Sequence, residues 1–408
     1  MIKTNPLLDS IEGTQIREIY GLLNEGDINF SLGIPNFPPP QHVKDAISRA
    51  NEENYGHFYG PAKGSLELRQ EIKEHYNTEY SQDLKIENIV ITAGCTGSLH
   101  CMRLLKALAN EHDKKVMVPE LYFPAHVSQA ISLGIKPVYT NLNKNFHLDL
   151  NKLEANIQKY KPQSIIINSP NNPTGVVYSG NELGKMVEIC SENNVFIESD
   201  EVYMGYILDG NKHNPISRFA NLDEAMIHNS FSKWASMTGD RIGFTIADKC
   251  LIDKLGKVSN NSITCPNTLG QYGALEFLKE WNESKEFLKD KQKKLKETRD
   301  YMIPRLNGMG LKCKKSEGSF FEYVEINEDI EVDGPYDIKS LNLAYKFLEN
   351  GVGVAPDVDF SSPDSPLRGN YMRVSFSVTK HGEKITEDIP YIEYTKEGLE
   401  KMENTLNS

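Results

Sequence analysis

The chain has little of what a metal, membrane or nucleic-acid protein needs. Its six cysteines are scattered, with no Cys-x-x-Cys pair and no His-rich neighbour. That excludes the usual zinc clusters and a disulfide framework, and it leads us to expect a reducing cytoplasm. No apolar run is long enough to span a bilayer. The opening Met1-Ile2-Lys3-Thr4-Asn5-Pro6 has no apolar core, so no secretory leader is expected. Net positive charge is missing as well. The formal net charge is −12, and such a surface repels nucleic-acid phosphates. There is no internal repeat and no low-complexity tract. What remains is ordinary globular material: 408 residues, 39% hydrophobic and 25% charged, enough for two domains and a large core.

From about residue 60 to 280 short apolar runs alternate with helical patterns, the mark of a mainly parallel sheet with helices on both faces. The pattern then changes. A long helix is expected from Ser284 to Arg305. After it come a strand at Leu311–Lys314, the stretch Gly318–Val324, a helix over Leu341–Asn350, and a half-exposed strand at Tyr371–Ser377. This describes a smaller α+β domain. The expected division is an arm over 1–45 that joins the small domain, a large domain over 46–283, and a small domain over 284–408. The lysines at 289, 291, 293, 294 and 296 read as the wet side of the long helix. Pro356–Asn370, rich in Pro, Asp and Ser, reads as a mobile lid.

The richest stretch is Ser230-Phe231-Ser232-Lys233, followed by Gly239, Arg241 and Gly243. The lysine lies between two apolar runs, Ala225–Asn229 and Arg241–Ala247, each read as a strand. An unpaired ammonium is costly there. A covalent, neutral linkage to a bound aldehyde removes that cost.

Ser-x-Ser-Lys followed by Gly-x-Arg-x-Gly resembles the cofactor-lysine signature of the class I/II aminotransferases, the fold-type I pyridoxal 5′-phosphate enzymes. The resemblance implies an α/β fold, Lys233 as the catalytic lysine that carries the cofactor, and no metal. Further matching elements follow in order. Asp200-Glu201-Val202-Tyr203 stands after the run Val195–Ile197. A carboxylate beside a pyridine nitrogen keeps it protonated, and the resemblance gives that role to Asp200 and contact with the ring's phenolic oxygen to Tyr203. Asn168-Ser169-Pro170-Asn171-Asn172-Pro173-Thr174-Gly175 is similar to the family's Asn-Pro-Asn-Asn-Pro-Thr-Gly string, irregular at Ser169. Asn172 is thereby assigned to the phenolic oxygen and the substrate carboxylate.

The phosphate is expected at the turn after Ile89–Thr92, where a helix with apolar face Leu99, Met102, Leu105 and Leu108 opens. Backbone contacts fall to Gly94 and Cys95, and hydroxyl contacts to Thr96, Ser230 and Ser232. Arg241 completes the cradle with its two-pronged fork. Phe123, just before Pro124, is assigned to stack on the ring, with Tyr122 left open. Gly33 matches the glycine whose backbone approaches substrate, and Arg373 the arginine that clamps the α-carboxylate. The segment Ile16-Arg17-Glu18-Ile19 also resembles the family. Tyr59, in Tyr59-Gly60-Pro61-Ala62-Lys63-Gly64, resembles the tyrosine that reaches the phosphate of a neighbouring subunit, which implies a homodimer.

The implied activity is transfer of an amino group from an L-amino acid to a 2-oxo acid. The same scaffold also serves carbon–sulfur β-lyases, decarboxylases and cyclases. A regulatory role is not expected, since too little chain precedes Gly33 for a helix-turn-helix domain. Residues 258–270 hold no Arg or Lys, and Thr96 stands where one subgroup has a lysine. Both familiar clamps for a second carboxylate are thus missing, which argues against a dicarboxylate donor unless Lys63 or Arg368 substitutes. Tyr20, Tyr122 and Phe360 leave an aromatic or aliphatic donor open.

Overall fold

The computed structural model describes residues 13–107 and 114–407. Its largest sheet has seven strands. In spatial order they are Ile89–Thr92, Gly243–Ile246, Ala225–Ser230, Phe196–Asp200, Ser164–Asn168, Lys115–Pro119 and Lys136–Thr140. The last five pair in parallel, and Gly243–Ile246 runs antiparallel to both its neighbours. Ile89–Thr92, Ser164–Asn168 and Ala225–Ser230 are buried along their whole length, as strands of a sheet covered on both faces are. Register brings Asn168 beside Asp200, and Ser230 and Thr92 each beside Gly243. Strand ends of this kind, outside the carboxyl edge of an open α/β sheet, are where ligands bind.

Two small sheets complete the molecule. One joins Ile28–Asn29 to Val352–Gly353 and Thr379–Lys380, so the two ends of the chain are stitched together. The other orders Ala355–Pro356, Tyr371–Ser375, Phe321–Ile326 and Leu311–Cys313. The long helix runs Trp281–Gly308 and buries Leu288, Leu295, Met302 and Leu306.

Several expectations need correction. The strand expected at Arg241 begins only at Gly243, because Arg241 sits in the left-handed region at φ 58°. Tyr371–Ser375 is buried along its whole length rather than half exposed, because both of its faces are covered; Arg373, for instance, lies between Phe321 and Phe360. Lys291 is buried, its ammonium paired with Asp290 and Glu387 and lying over Phe37 and Phe287. Segment 356–370 is no free lid. Asp357 accepts from the Ser340 hydroxyl and the Gly369 N–H, and Phe360 is fully buried. In the helix Gly94–Ala107, Leu99 and Met102 are buried; Leu108 lies outside the described residues, as does Met1–Pro6.

Candidate active site

The helix Gly94–Ala107 is keyed to the sheet by a buried ion pair. Arg103 Nη1 reaches both oxygens of Glu198 at 2.8 and 2.7 Å, and both side chains are fully buried. Burial alone would raise the Glu198 carboxyl, but the Arg103 and Lys106 charges hold it well below the usual range. Removing one partner of such a pair costs about 3–5 kcal/mol. Glu198 is two residues before Asp200 on the same strand. The pair therefore fixes the helix start relative to that carboxylate.

Gly94 begins the helix at φ 72°, and a Cβ there would lie 2.5 Å from Arg241 Nη2. Only glycine lets the backbone come this close to the guanidinium. A Cβ on Gly243 would strike the Gly94 and Cys95 backbone at 2.5 and 2.8 Å, so the strand and the helix start are also in close contact. Helix-start N–H groups and an arginine fork thus meet at one place, which is the donor set a phosphate requires.

Above this edge lies a cavity of about 640 Å³. Gly33, Cys95, Thr96, Phe123, Asn172, Asp200, Tyr203, Ser230, Ser232, Lys233, Arg241 and Arg373 all line it. Gly94 lies just behind, against Arg241. Tyr59 does not reach the cavity of its own chain and is 88% exposed. Phe123 faces the cavity, whereas Tyr122 turns away, stacks on Tyr139 and donates its hydroxyl hydrogen to the Ser361 carbonyl.

Asp200 is nearly fully buried and held by three donors. His126 Nε2 lies 2.9 Å from Oδ2, while Cys95 Sγ at 3.5 Å and the Val202 N–H at 3.2 Å donate to Oδ1. Lys233 Nζ donates to the Gly33 carbonyl and lies 5.8 Å from the Tyr203 ring centre. Burial, then the charges of Arg373 and Arg241, lower its pKa to about 8. Burial raises the Tyr203 phenol above its ordinary range.

Arg373 is clasped between Phe321 and Phe360, 4.2 and 4.5 Å from their ring centres. One nitrogen donates to Asn172 Oδ1 at 2.9 Å and another to the Ser31 carbonyl. Its Nε is buried with no partner among the described residues. Burial lowers its pKa to about 10, still fully cationic near neutrality. The guanidinium borders the cavity, where a cation can meet an incoming carboxylate.

Some site residues had no assignment from sequence. His126 is one, although it sits one helical turn past Phe123, the spacing that returns a side chain to the same face. Ser31 and Phe321 are others. Thr14, at the N-cap of the first helix, and Ile16 and Arg17 within that helix also line the cavity. The residues considered as substitute clamps lie elsewhere. Lys63 pairs with Asp253 at 2.5 Å, and Arg368 donates to the Val358 and Ser361 carbonyls at 2.9 and 3.1 Å. Tyr20 packs edge-on against His381, and Phe360 lies under Arg373.

The family model for aminotransferase class I and II matches residues 25–383. A probable aspartate aminotransferase of Methanocaldococcus jannaschii is 33% identical, over 90% of this chain and 93% of its own length. Aromatic-amino-acid aminotransferase 2 of Thermococcus litoralis is 31% identical over 79% of this chain and 82% of its own. The crystal structure of an aromatic aminotransferase from Pyrococcus horikoshii superposes with a TM-score of 0.81 at 28% identity, covering 96% of this chain and 98% of that one.

Proposed function

The chain belongs to the class I and II aminotransferases and moves amino groups between amino acids and 2-oxo acids; from that premise we propose that Lys233 carries pyridoxal 5′-phosphate in the cavity described above. The observation that carries this reading is the placement of Lys233, Asp200, Arg241 and Arg373 around one cavity. The donor set suits the cofactor: an acid for its ring nitrogen, a fork and helix start for its phosphate, and an amine of lowered pKa for its aldehyde. When bound, pyridoxal phosphate supplies the sink for the electron pair left when the substrate α-carbon loses a proton.

The chain's own residues do the rest. Lys233, neutral above about pH 8, takes the proton from the substrate α-carbon and returns it elsewhere. Arg373 holds the α-carboxylate, and Asn172 keeps the guanidinium in place. His126 orients Asp200 toward the ring nitrogen. Phe123 covers the ring, and Tyr203 and Asn172 face its phenolic oxygen. Gly94, Cys95, Thr96, Ser230, Ser232 and Arg241 hold the phosphate, and Gly33 brings its backbone against the substrate.

A second copy of the chain, we propose, completes each site with Tyr59. This reading draws on Tyr55, Phe58, Tyr59 and Leu66, all more than half exposed on one short stretch. A reducing compartment such as the cytoplasm fits six cysteines that all remain free thiols.

The test is direct. Purified protein should show a visible band that borohydride abolishes, leaving the cofactor's mass on the peptide that contains Lys233. Lys233→Ala should lose the band and reduce transamination by roughly 10⁴-fold. A band that persists in that variant, or mass on another lysine, defeats the assignment.

A further inference from the structure

One buried acid has no task in the reading above. Glu322, in the strand Phe321–Ile326, is fully buried. Its Oε1 accepts from the Ser316 N–H at 3.0 Å and from the Ser316 hydroxyl at 2.7 Å. Its Oε2 is buried with no hydrogen-bond partner among the described residues. The charged and titratable groups that face it are Arg299 and Asp300 of the long helix and Cys313 of the neighbouring strand. None of them neutralises it. Arg299 gives Nη1 to the Ser316 carbonyl, and Nε and Nη2 to Asp300 and Asp209. Burial keeps Cys313 a thiol. A buried carboxyl without a cation keeps its proton. Burial pushes Glu322 up to about 7, even though its bonds from Ser316 act in the other direction.

The bond to Ser316 closes the turn 316–322, and this turn supports Arg373 from two directions. It carries Phe321, whose ring centre lies 4.2 Å from the guanidinium. It also grips the loop of Asn172. The Glu317 and Gly318 N–H groups donate to the Gly175 carbonyl at 3.0 and 2.9 Å, and the Gly175 N–H donates to the Asn171 carbonyl at 3.0 Å. Asn172 in turn accepts from Arg373. The fit at Gly175 is tight, since a Cβ there would lie 2.3 Å from the Ser316 Cβ. A shift of Ser316 is therefore passed to the residues that seat the guanidinium.

We propose that Glu322, as the neutral acid, is a positioning residue: by holding Ser316 it sets the seat of Arg373, and with it the affinity for the substrate α-carboxylate. The proposal rests on the Arg373 assignment made above. The folded chain holds this proton more tightly than the unfolded chain does. Stability and the seat are therefore both weakened as pH rises from the usual glutamate range through about 7.

The test compares wild type with Glu322→Gln, which keeps an acceptor for Ser316 and cannot ionise, and with Glu322→Ala, which keeps neither. As holoenzymes at about pH 6, Glu322→Gln should hold the KM for the amino donor within about twofold of wild type, and Glu322→Ala should raise it at least about fivefold with kcat changed less. From about pH 6 to 8.5 the ratio of wild-type KM to Glu322→Gln KM should rise at least about twofold. A smaller rise overturns the proposal, as does a Glu322→Gln protein as impaired as Glu322→Ala. The pH series needs only wild type and Glu322→Gln, so it decides even if Glu322→Ala does not fold. Deuterium exchange of the cofactor-free protein gives a readout independent of turnover. Corrected for the intrinsic effect of pH, exchange over 171–177 and 316–321 should quicken across that pH range in wild type and not in Glu322→Gln. If wild type shows no cofactor band and turns over no donor, the Lys233 assignment has failed and exchange decides alone. A rise confined to wild type then supports the proposal, and equal exchange in both proteins overturns it.

Discussion

At the scale of single residues, the site depends on shifting one amine. An ordinary lysine titrates near 10.4, so only about one in 2,500 is neutral at pH 7. Lys233 is moved to about 8, first by burial and then by Arg373 and Arg241. Near pH 7 roughly a tenth is then neutral and able to attack an aldehyde. The sign of the pH dependence follows. Cofactor capture by the cofactor-free protein should quicken about tenfold per pH unit up to about 7.5, then level off above about 8. Stopped-flow absorbance would follow it. A rise that continues unchanged to pH 10 would show that the amine is not perturbed. On the proposed assignment, cofactor capture removes this buried charge, which would link the burial of Lys233 to its chemistry.

At the scale of elements, the first helix shows how distant parts of the chain build one wall. Thr14 occupies the N-cap position but makes no side-chain cap bond. The cap comes from Asp359, 344 residues away from Gln15. Asp359→Ala should loosen residues 15–22 by about 1 kcal/mol. Faster deuterium exchange over that segment, with exchange in the central sheet unchanged, would be the sign; unchanged exchange in the helix would refute it. This example also marks what the sequence can disclose. The strand-then-turn pieces around Gly94, Asn172, Asp200 and Lys233 were legible because each motif is contiguous and each follows an apolar run. Their meeting at one sheet edge follows from parallel register. What could not be read depends on contacts between distant segments. Segment 356–370 has the composition of a loop, but Asp357 and Phe360 find partners that bury it. Lys291 reads as a surface residue, yet two rings and two carboxylates surround it. The Tyr371–Ser375 strand alternates in composition but is covered on both faces, and its polar Arg373 and Ser375 find partners inside.

At the scale of the whole molecule, one chain leaves an apolar surface unpaired. Phe58 is 74% exposed and Tyr59 88%, and Tyr55 stacks on Tyr272 beside them. Large aromatics gathered on one stretch are costly to leave in water and are typical of an interface. The stretch leads directly into Gly64 and the helix Leu66–Tyr80, which Ser65 caps at 3.3 Å. The aromatic group is therefore presented on a fixed support. If a second copy covers it, Tyr59 is brought to the partner's phosphate site, and assembly and cofactor retention become linked. Phe58→Asp places a charge where burial is expected, at a position whose side chain is largely exposed within its own chain. Sedimentation should show wild type as a dimer and Phe58→Asp shifted toward monomer, with faster loss of cofactor on dialysis. Tyr59→Phe, lacking only the hydroxyl, should stay dimeric yet hold the cofactor more weakly. A wild-type monomer that retains its cofactor would refute the link. A Phe58→Asp protein as dimeric as wild type would place the interface on another face.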